Sequence, residues 1–167
     1  MTYFAAFYIF LIIQRISELF LAKKNETATR KQGAVEYDKD GYKYIVLLHT
    51  GFLISFIAEF FFLDRHLNRL SLLFFIIFIL TQILRYWALS SLGIYWNTKI
   101  LVVPGLNLVK KGPYKYIKHP NYFAVITEIA VIPLIFSCYF TSIVFTLLNL
   151  ITLRRRIRIE EKALGIK

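Results

Sequence analysis

Apolar residues gather into long unbroken runs instead of alternating with polar ones, and short basic stretches separate the runs. The first run extends from about Tyr3 to Ala22, the second from Ile45 to Leu63, and the third from about Leu70 to Leu92. Each is long enough to cross a hydrocarbon core of roughly 30 Å at about 1.5 Å per residue. From Tyr122 to Leu153 the only charged residue is Glu128. That stretch is too long for one upright helix and short for two, so it predicts a tight hairpin. Its break is expected near Ser137-Cys138-Tyr139, with Pro133 kinking the first arm. Without water, only helices and closed barrels satisfy every backbone N–H and C=O, and continuous apolar runs favour helices. The pattern therefore predicts an all-α, polytopic membrane helix bundle, one domain over residues 1–167. It has five transmembrane segments, the last two a short hairpin.

Charge placement supports the count. Lys23, Lys24, Arg30, Lys31, Lys39 and Lys43 follow the first run; Lys99, Lys110, Lys111, Lys115 and Lys118 follow the third; Arg154, Arg155, Arg156 and Arg158 follow the hairpin. Five crossings put all three groups on one side. The excess of Lys and Arg on cytoplasmic loops makes that side the cytoplasm, with the N-terminus and the Asp64–Arg69 link outside. Met1-Thr2 is not a basic leader, and no small-residue cleavage site precedes Lys23-Lys24, so the first run reads as a retained helix.

Composition agrees: 57% of the 167 residues are hydrophobic and 17% aromatic, too much for a soluble surface. The formal charge of +11 lies beside the membrane segments. There it meets anionic lipid headgroups, and no basic face suited to nucleic acid is evident. Cys138 is the single cysteine, which excludes an intramolecular disulfide and a cysteine-based zinc cluster, and no metal is expected.

Ionisable side chains at membrane depth are expensive, so each is either structural or functional. Arg15 and Glu18, three apart, share a helical face and can pair. Arg85, three residues after Gln82, has no acid within one turn, so its partner comes from elsewhere in the fold or from a ligand. Glu128 either lines a site or satisfies a neighbouring helix. In the tail, Arg156 and Glu160 are four apart and stack on one face.

The strongest local signal is Gly112-Pro113-Tyr114-Lys115-Tyr116-Ile117-Lys118-His119-Pro120-Asn121-Tyr122. Gly-Pro makes one turn and His-Pro another, because the residue before proline is pushed out of the α region. Pro120 then suits the first turn of a helix, which holds His119 and Tyr122 at its entrance. With Arg85 upstream and the Arg-x-x-x-Glu-Glu-x-x-Leu pattern of Arg156 to Leu164 downstream, the chain resembles the isoprenylcysteine carboxyl methyltransferase family and its phospholipid-methylating membrane relatives. The resemblance covers residues 82–164, the half expected to bind cofactor and carry the chemistry.

It implies a cytoplasmic pocket for S-adenosylmethionine between the Gly112–Tyr122 loop, the hairpin and the helix bearing Glu160 and Glu161. On that analogy His119 and Tyr122 contact the cofactor, with Tyr116 and Pro120 from the same motif. Glu160 or Glu161 holds its ribose or amino group, and Gly112 and Tyr114 shape the wall. Arg85 matches the arginine of the acceptor side and Arg156 the tail arginine beside the cofactor. With Glu128 they form the expected catalytic set. Lys118 stands where the family commonly has arginine. The implied reaction is O-methylation of a carboxylate or acidic hydroxyl on a lipophilic prenyl or alkyl acceptor, alkylpyrone-like molecules included, that enters from the membrane lipid. A hydroxyl acceptor needs a base, for which Glu128 and His119 are the nearest candidates. Two other readings share parts of the pattern: an NADPH-dependent reductase of sterol-reductase type, which has the His-Pro-x-Tyr element, and a non-catalytic scaffold or transporter subunit with a polar path.

Overall fold

The computed structural model describes residues 1–106 and 109–165. Five helices make up most of it: α1 (Thr2–Lys31), α2 (Lys39–Phe62), α3 (Ser71–Leu92), α4 (Pro120–Leu134) and α5 (Tyr139–Ala163). Three of them, α1, α2 and α3 with its 3-10 continuation to Tyr95, are long and apolar enough to cross a membrane; α4 is apolar but shorter. The protein is an integral membrane helix bundle. α3 packs on α4, α4 on α5, and α5 on α2.

The all-α expectation holds, and one short pair of strands accompanies the helices. β1 (Val35–Tyr37) and β2 (Ile100–Val102) pair antiparallel, with Glu36 opposite Leu101. Three-residue strands are below the length at which alternation is readable, although Val35, Ile100 and Val102 have the β-branched character that suits a pleat. The basic stretch after the first run is also mostly helix. α1 continues to Lys31, nine residues past Ala22, because Asn25, Glu26 and Thr29 are buried there. Asn25 donates to the carbonyls of Gly93 (3.2 Å) and Trp96 (2.8 Å), which fastens this extension to the chain after α3. The helix ends at Gly33, whose φ of 82° only glycine adopts freely, with Gly33 N–H bonded to Arg30 and Ala34 N–H to Thr29.

Aromatic rings fill the core at the end of the bundle near the 63–70 link. Phe4 stacks on Phe60 with centroids 3.6 Å apart and meets Phe56 and Phe136 edge-on. Here the hairpin turns: α4 stops one residue after Pro133, and Ser137 takes a positive φ before α5 begins. Glu59 of α2 accepts the backbone N–H groups of Phe140 (3.2 Å) and Thr141 (2.7 Å) and pairs with Arg65. A carboxylate there satisfies donors that a helix start leaves unpaired and opposes its positive dipole end. The turn also meets the α2–α3 link, because Asn68 N–H donates to the Ile135 carbonyl (3.0 Å) and the Asn68 amide to the Tyr139 hydroxyl (2.8 Å).

Candidate active site

The sequence motifs divide between two polar clusters of the bundle. The first lies where the Gly112–Tyr122 loop meets α5. Gly112 has φ 54°, and a Cβ there would lie 2.0 Å from Ser91 Oγ and 2.9 Å from Trp87 Nε1, so a side chain is excluded and the loop presses onto α3. Pro113 is buried and starts a single 3-10 turn. His119, at φ −130° and ψ 63° and so outside the helical region, then leads into α4, with Pro120 at its first position, where a missing N–H costs nothing.

This entrance brings three side chains of the loop and α4 against three of α5. Tyr122 donates its hydroxyl hydrogen to Glu160 and accepts from Arg156 Nε at 2.9 Å. His119 Nε2 lies 3.2 Å from Glu161 and its ring stacks on Tyr122, with centroids 5.4 Å apart. Lys118 adds a looser approach to Glu161 at 3.8 Å. Burial, with the Glu160 carboxylate adding to it, pushes the Tyr114 phenol above its ordinary pKa and keeps it neutral. Arg156 Nη2 also donates to the Thr98 carbonyl at 2.6 Å, so one guanidinium ties α4, α5 and the segment before β2. Tyr116 is the motif residue left out: its side chain is 80% exposed and has no part in the cluster.

Sequence reasoning did not single out four contributors here. Thr98 acts through its carbonyl, which leaves no side-chain signature, and Trp87 and Ser91 act only as the surface under Gly112. Asn149 is different, since an amide within an apolar run is a readable signal. It lies two turns before Arg156 on the same buried face of α5, and its Nδ2 has no partner among the described residues, as is also true of Asn121 Oδ1. Buried amide atoms without partners are costly and suit a ligand rich in donors and acceptors.

The second cluster is closed. Arg85 of α3, 3% exposed, gives Nε and Nη2 to the two oxygens of Glu18 (2.7 and 2.6 Å) and Nη1 to Glu128 (2.7 Å). Arg15 joins the same two carboxylates at 2.9 and 2.6 Å. Gln82 donates to Glu128 at 2.8 Å and accepts from Gln14 at 2.6 Å. Two cations and two anions from α1, α3 and α4 thus balance. The partner that Arg85 needs comes from the fold, in the form of Glu18 and Glu128. Both oxygens of Glu128, which is 1% exposed, are likewise taken.

The first cluster joins the loop, α4 and the Glu-Glu pair of α5 in the order that the motifs have along the chain. Residues 72–166, more than half of the chain, match the isoprenylcysteine carboxyl methyltransferase (ICMT) family. The chain belongs to that family. Family membership makes it a membrane methyltransferase by descent, and the matched region contains both the His119–Glu161 cluster and Arg85. An uncharacterized Bacillus subtilis (strain 168) protein, YpbQ, is 49% identical over 154 residues, 92% of this chain and 92% of the relative. An uncharacterized Haemophilus influenzae (strain ATCC 51907 / DSM 11121 / KW20 / Rd) protein is 26% identical over 152 residues, 90% of this chain and 88% of the relative. No solved structure matches the chain.

Proposed function

We propose that this ICMT-family protein transfers a methyl group from S-adenosylmethionine to an oxygen of a lipophilic acceptor resident in the bilayer. The observation that carries the reading is the convergence of His119, Tyr122, Arg156, Glu160 and Glu161 at one helix entrance, next to Asn121, whose buried Oδ1 has no partner among the described residues, with Asn149 two turns along α5. When bound, S-adenosylmethionine supplies a methyl group on a positively charged sulfur. The donor set fits such a ligand. Glu160 and Glu161 oppose its cationic ammonium and sulfonium groups, His119 and Tyr122 offer stacked ring faces, and the amides of Asn121 and Asn149 suit its polar edges. Methyl transfer of this kind depends on alignment more than on acid–base chemistry. Arg156 accordingly acts as a positioning residue that fixes the Tyr122 hydroxyl. Arg85 and Glu128 serve the same end from a distance by bracing α3 and α4 against α1. His119 is the side chain that would take a proton from a hydroxyl acceptor, since Glu128 has no free oxygen.

The acceptor carries a carboxylate or an acidic hydroxyl on a long prenyl or alkyl chain, an alkylpyrone-like molecule being one example. The contact between the hairpin turn and the α2–α3 link supports five crossings, with the N-terminus outside and the basic face of the bundle in the cytoplasm. The test is to incubate the purified protein with radiolabelled S-adenosylmethionine and a lipid extract of its own cells, then identify the labelled product by mass. Calorimetric titration with S-adenosylhomocysteine and with NADPH runs in parallel. Label in a single lipid species and binding of S-adenosylhomocysteine are expected; tight binding of NADPH alone would overturn the proposal.

A further inference from the structure

A cavity of about 230 Å³ lies between α1, the start of α2 and the segment leading into β2. Leu19 and Ala22 of α1 form an apolar wall, while Lys23, Glu26, Tyr42 and Lys99 form a polar one. It exceeds the ~150 Å³ that holds a benzene ring and falls below the ~300–1,000 Å³ of sites for larger ligands. The space therefore suits one ring or a comparably small head group, with any long chain left outside.

Its charge is unbalanced. Lys99 lies 2.8 Å from Glu26 and 3.8 Å from Glu36, Arg30 pairs with both carboxylates, and Lys23 reaches Glu26 at 4.0 Å. Three cations face two anions, which leaves one positive charge in excess at the rim. The side chain of Lys23 is 77% exposed and meets Glu26 only at 4.0 Å, so it can turn toward an incoming oxygen anion, while Lys99 adds its charge from where Glu26 holds it.

The cavity also adjoins the candidate active site. Thr98 lines it, with its hydroxyl 3.4 Å from that of Tyr42, while the carbonyl of the same residue accepts from Arg156. One residue thus separates the cavity from the guanidinium that holds Tyr122. Leu19, Ala22, Lys23 and Tyr42 precede the region shared with the family, so this wall belongs to the part of the chain that the family match does not cover.

We propose that this cavity receives the head group of the methyl acceptor, an oxyanion borne on a single ring or smaller unit. Lys23 and Lys99 attract the anion, and Leu19 and Ala22 meet the first carbons of its chain. The assignment rests on the reading of the chain as a lipid O-methyltransferase and adds where the acceptor sits and what its head must be.

The experiment uses the full chain in lipid vesicles, with a total lipid extract of its own cells as acceptor probe, radiolabelled S-adenosylmethionine as methyl donor and S-adenosylhomocysteine as probe of cofactor binding. Leu19, 53% exposed, is changed to Trp to block the mouth and to Ala to open it, and Lys23→Glu reverses the rim charge. Leu19→Trp should raise the amount of extract that half-saturates methyl incorporation at least tenfold, and Lys23→Glu about fivefold. Leu19→Ala, which removes an apolar contact without filling the mouth, should raise it less than Leu19→Trp does, and all three variants should bind S-adenosylhomocysteine within twofold of wild type. Unchanged half-saturation in Leu19→Trp and Lys23→Glu overturns the acceptor site while leaving the methyltransferase reading intact. Weakened S-adenosylhomocysteine binding in those variants also overturns it, by making the cavity part of the cofactor site. A wild-type chain that neither binds S-adenosylhomocysteine nor transfers label fails at the earlier step.

Discussion

Replacing Arg85 by methionine separates a brace from a substrate contact. In the native chain three Arg85 nitrogens are bonded to Glu18 and Glu128 at 2.6–2.7 Å, and the residue is 3% exposed. Removing one member of a buried ion pair costs about 3–5 kcal/mol, because the remaining charge is stranded. Two features reduce the figure: Arg15 still reaches both carboxylates, and single interhelical polar contacts in membranes average only about 0.6 kcal/mol. The expected loss is therefore about 3 kcal/mol, read from unfolding of purified protein in mixed micelles with increasing dodecyl sulfate. Adding Glu18→Gln to Arg85→Met removes one charge of each sign, and the double variant should recover at least about 1 kcal/mol of that loss. S-adenosylhomocysteine should still bind the folded fraction of Arg85→Met. A variant as stable as wild type within about 0.5 kcal/mol, yet unable to methylate, would refute the reasoning. It would mean that the guanidinium serves the acceptor directly.

His119→Ala should weaken S-adenosylhomocysteine binding at least tenfold by calorimetry while circular dichroism stays that of wild type; undiminished binding would remove His119 from the site. Tyr122→Phe leaves Arg156 Nε and Glu160 without their shared hydroxyl and should cost about 1–3 kcal/mol in the same unfolding assay. Gly112→Ala puts a Cβ where Ser91 Oγ now lies, at a backbone angle that alanine resists by about 1–2 kcal/mol. Methyl transfer should fall, and Ser91→Gly should restore part of it; full activity in Gly112→Ala would show that the loop does not need its seat on α3. Glu59→Gln weakens the cap on α5 and the pair with Arg65, with an expected loss of about 1–2 kcal/mol and little change in cofactor binding.

Much of the fold was legible because hydrocarbon forces continuous apolar runs, and the helices α1, α2 and α3 lie where those runs do. The hairpin break could be placed because proline stops the i to i−4 ladder, as Pro133 does one residue before α4 ends. The C-terminal end of α1 was not legible. Asn25, Glu26 and Thr29 look like a solvated stretch, and only Gly93, Trp96 and Lys99, some seventy residues later, make them interior. Within the site, spacing was enough to join Arg156 to Glu160, and the His-Pro-x-Tyr turn was enough to aim His119 and Tyr122. The partners of Arg85 were beyond reach for the reason that hid the role of Glu128: each pair joins different helices, and sequence distance says nothing of which helix stands beside which. Tyr116 shares the motif of its neighbours but falls on the outward side of the 3-10 turn, a direction that the motif does not encode.

The short fourth helix sets the depth of the whole device. At about 1.5 Å per residue, the fifteen residues of α4 rise roughly 22 Å and the twenty-two of α3 roughly 33 Å. Their ends near the 63–70 link are held level through Asn68 and Ile135. The start of α4 consequently falls about 10 Å short of the far end of α3. On the proposed methyltransferase reading, a greasy acceptor can present its reactive oxygen at that level while its tail stays among the lipids. It need never be lifted out of the leaflet, and the water-soluble reagent is the one that must descend.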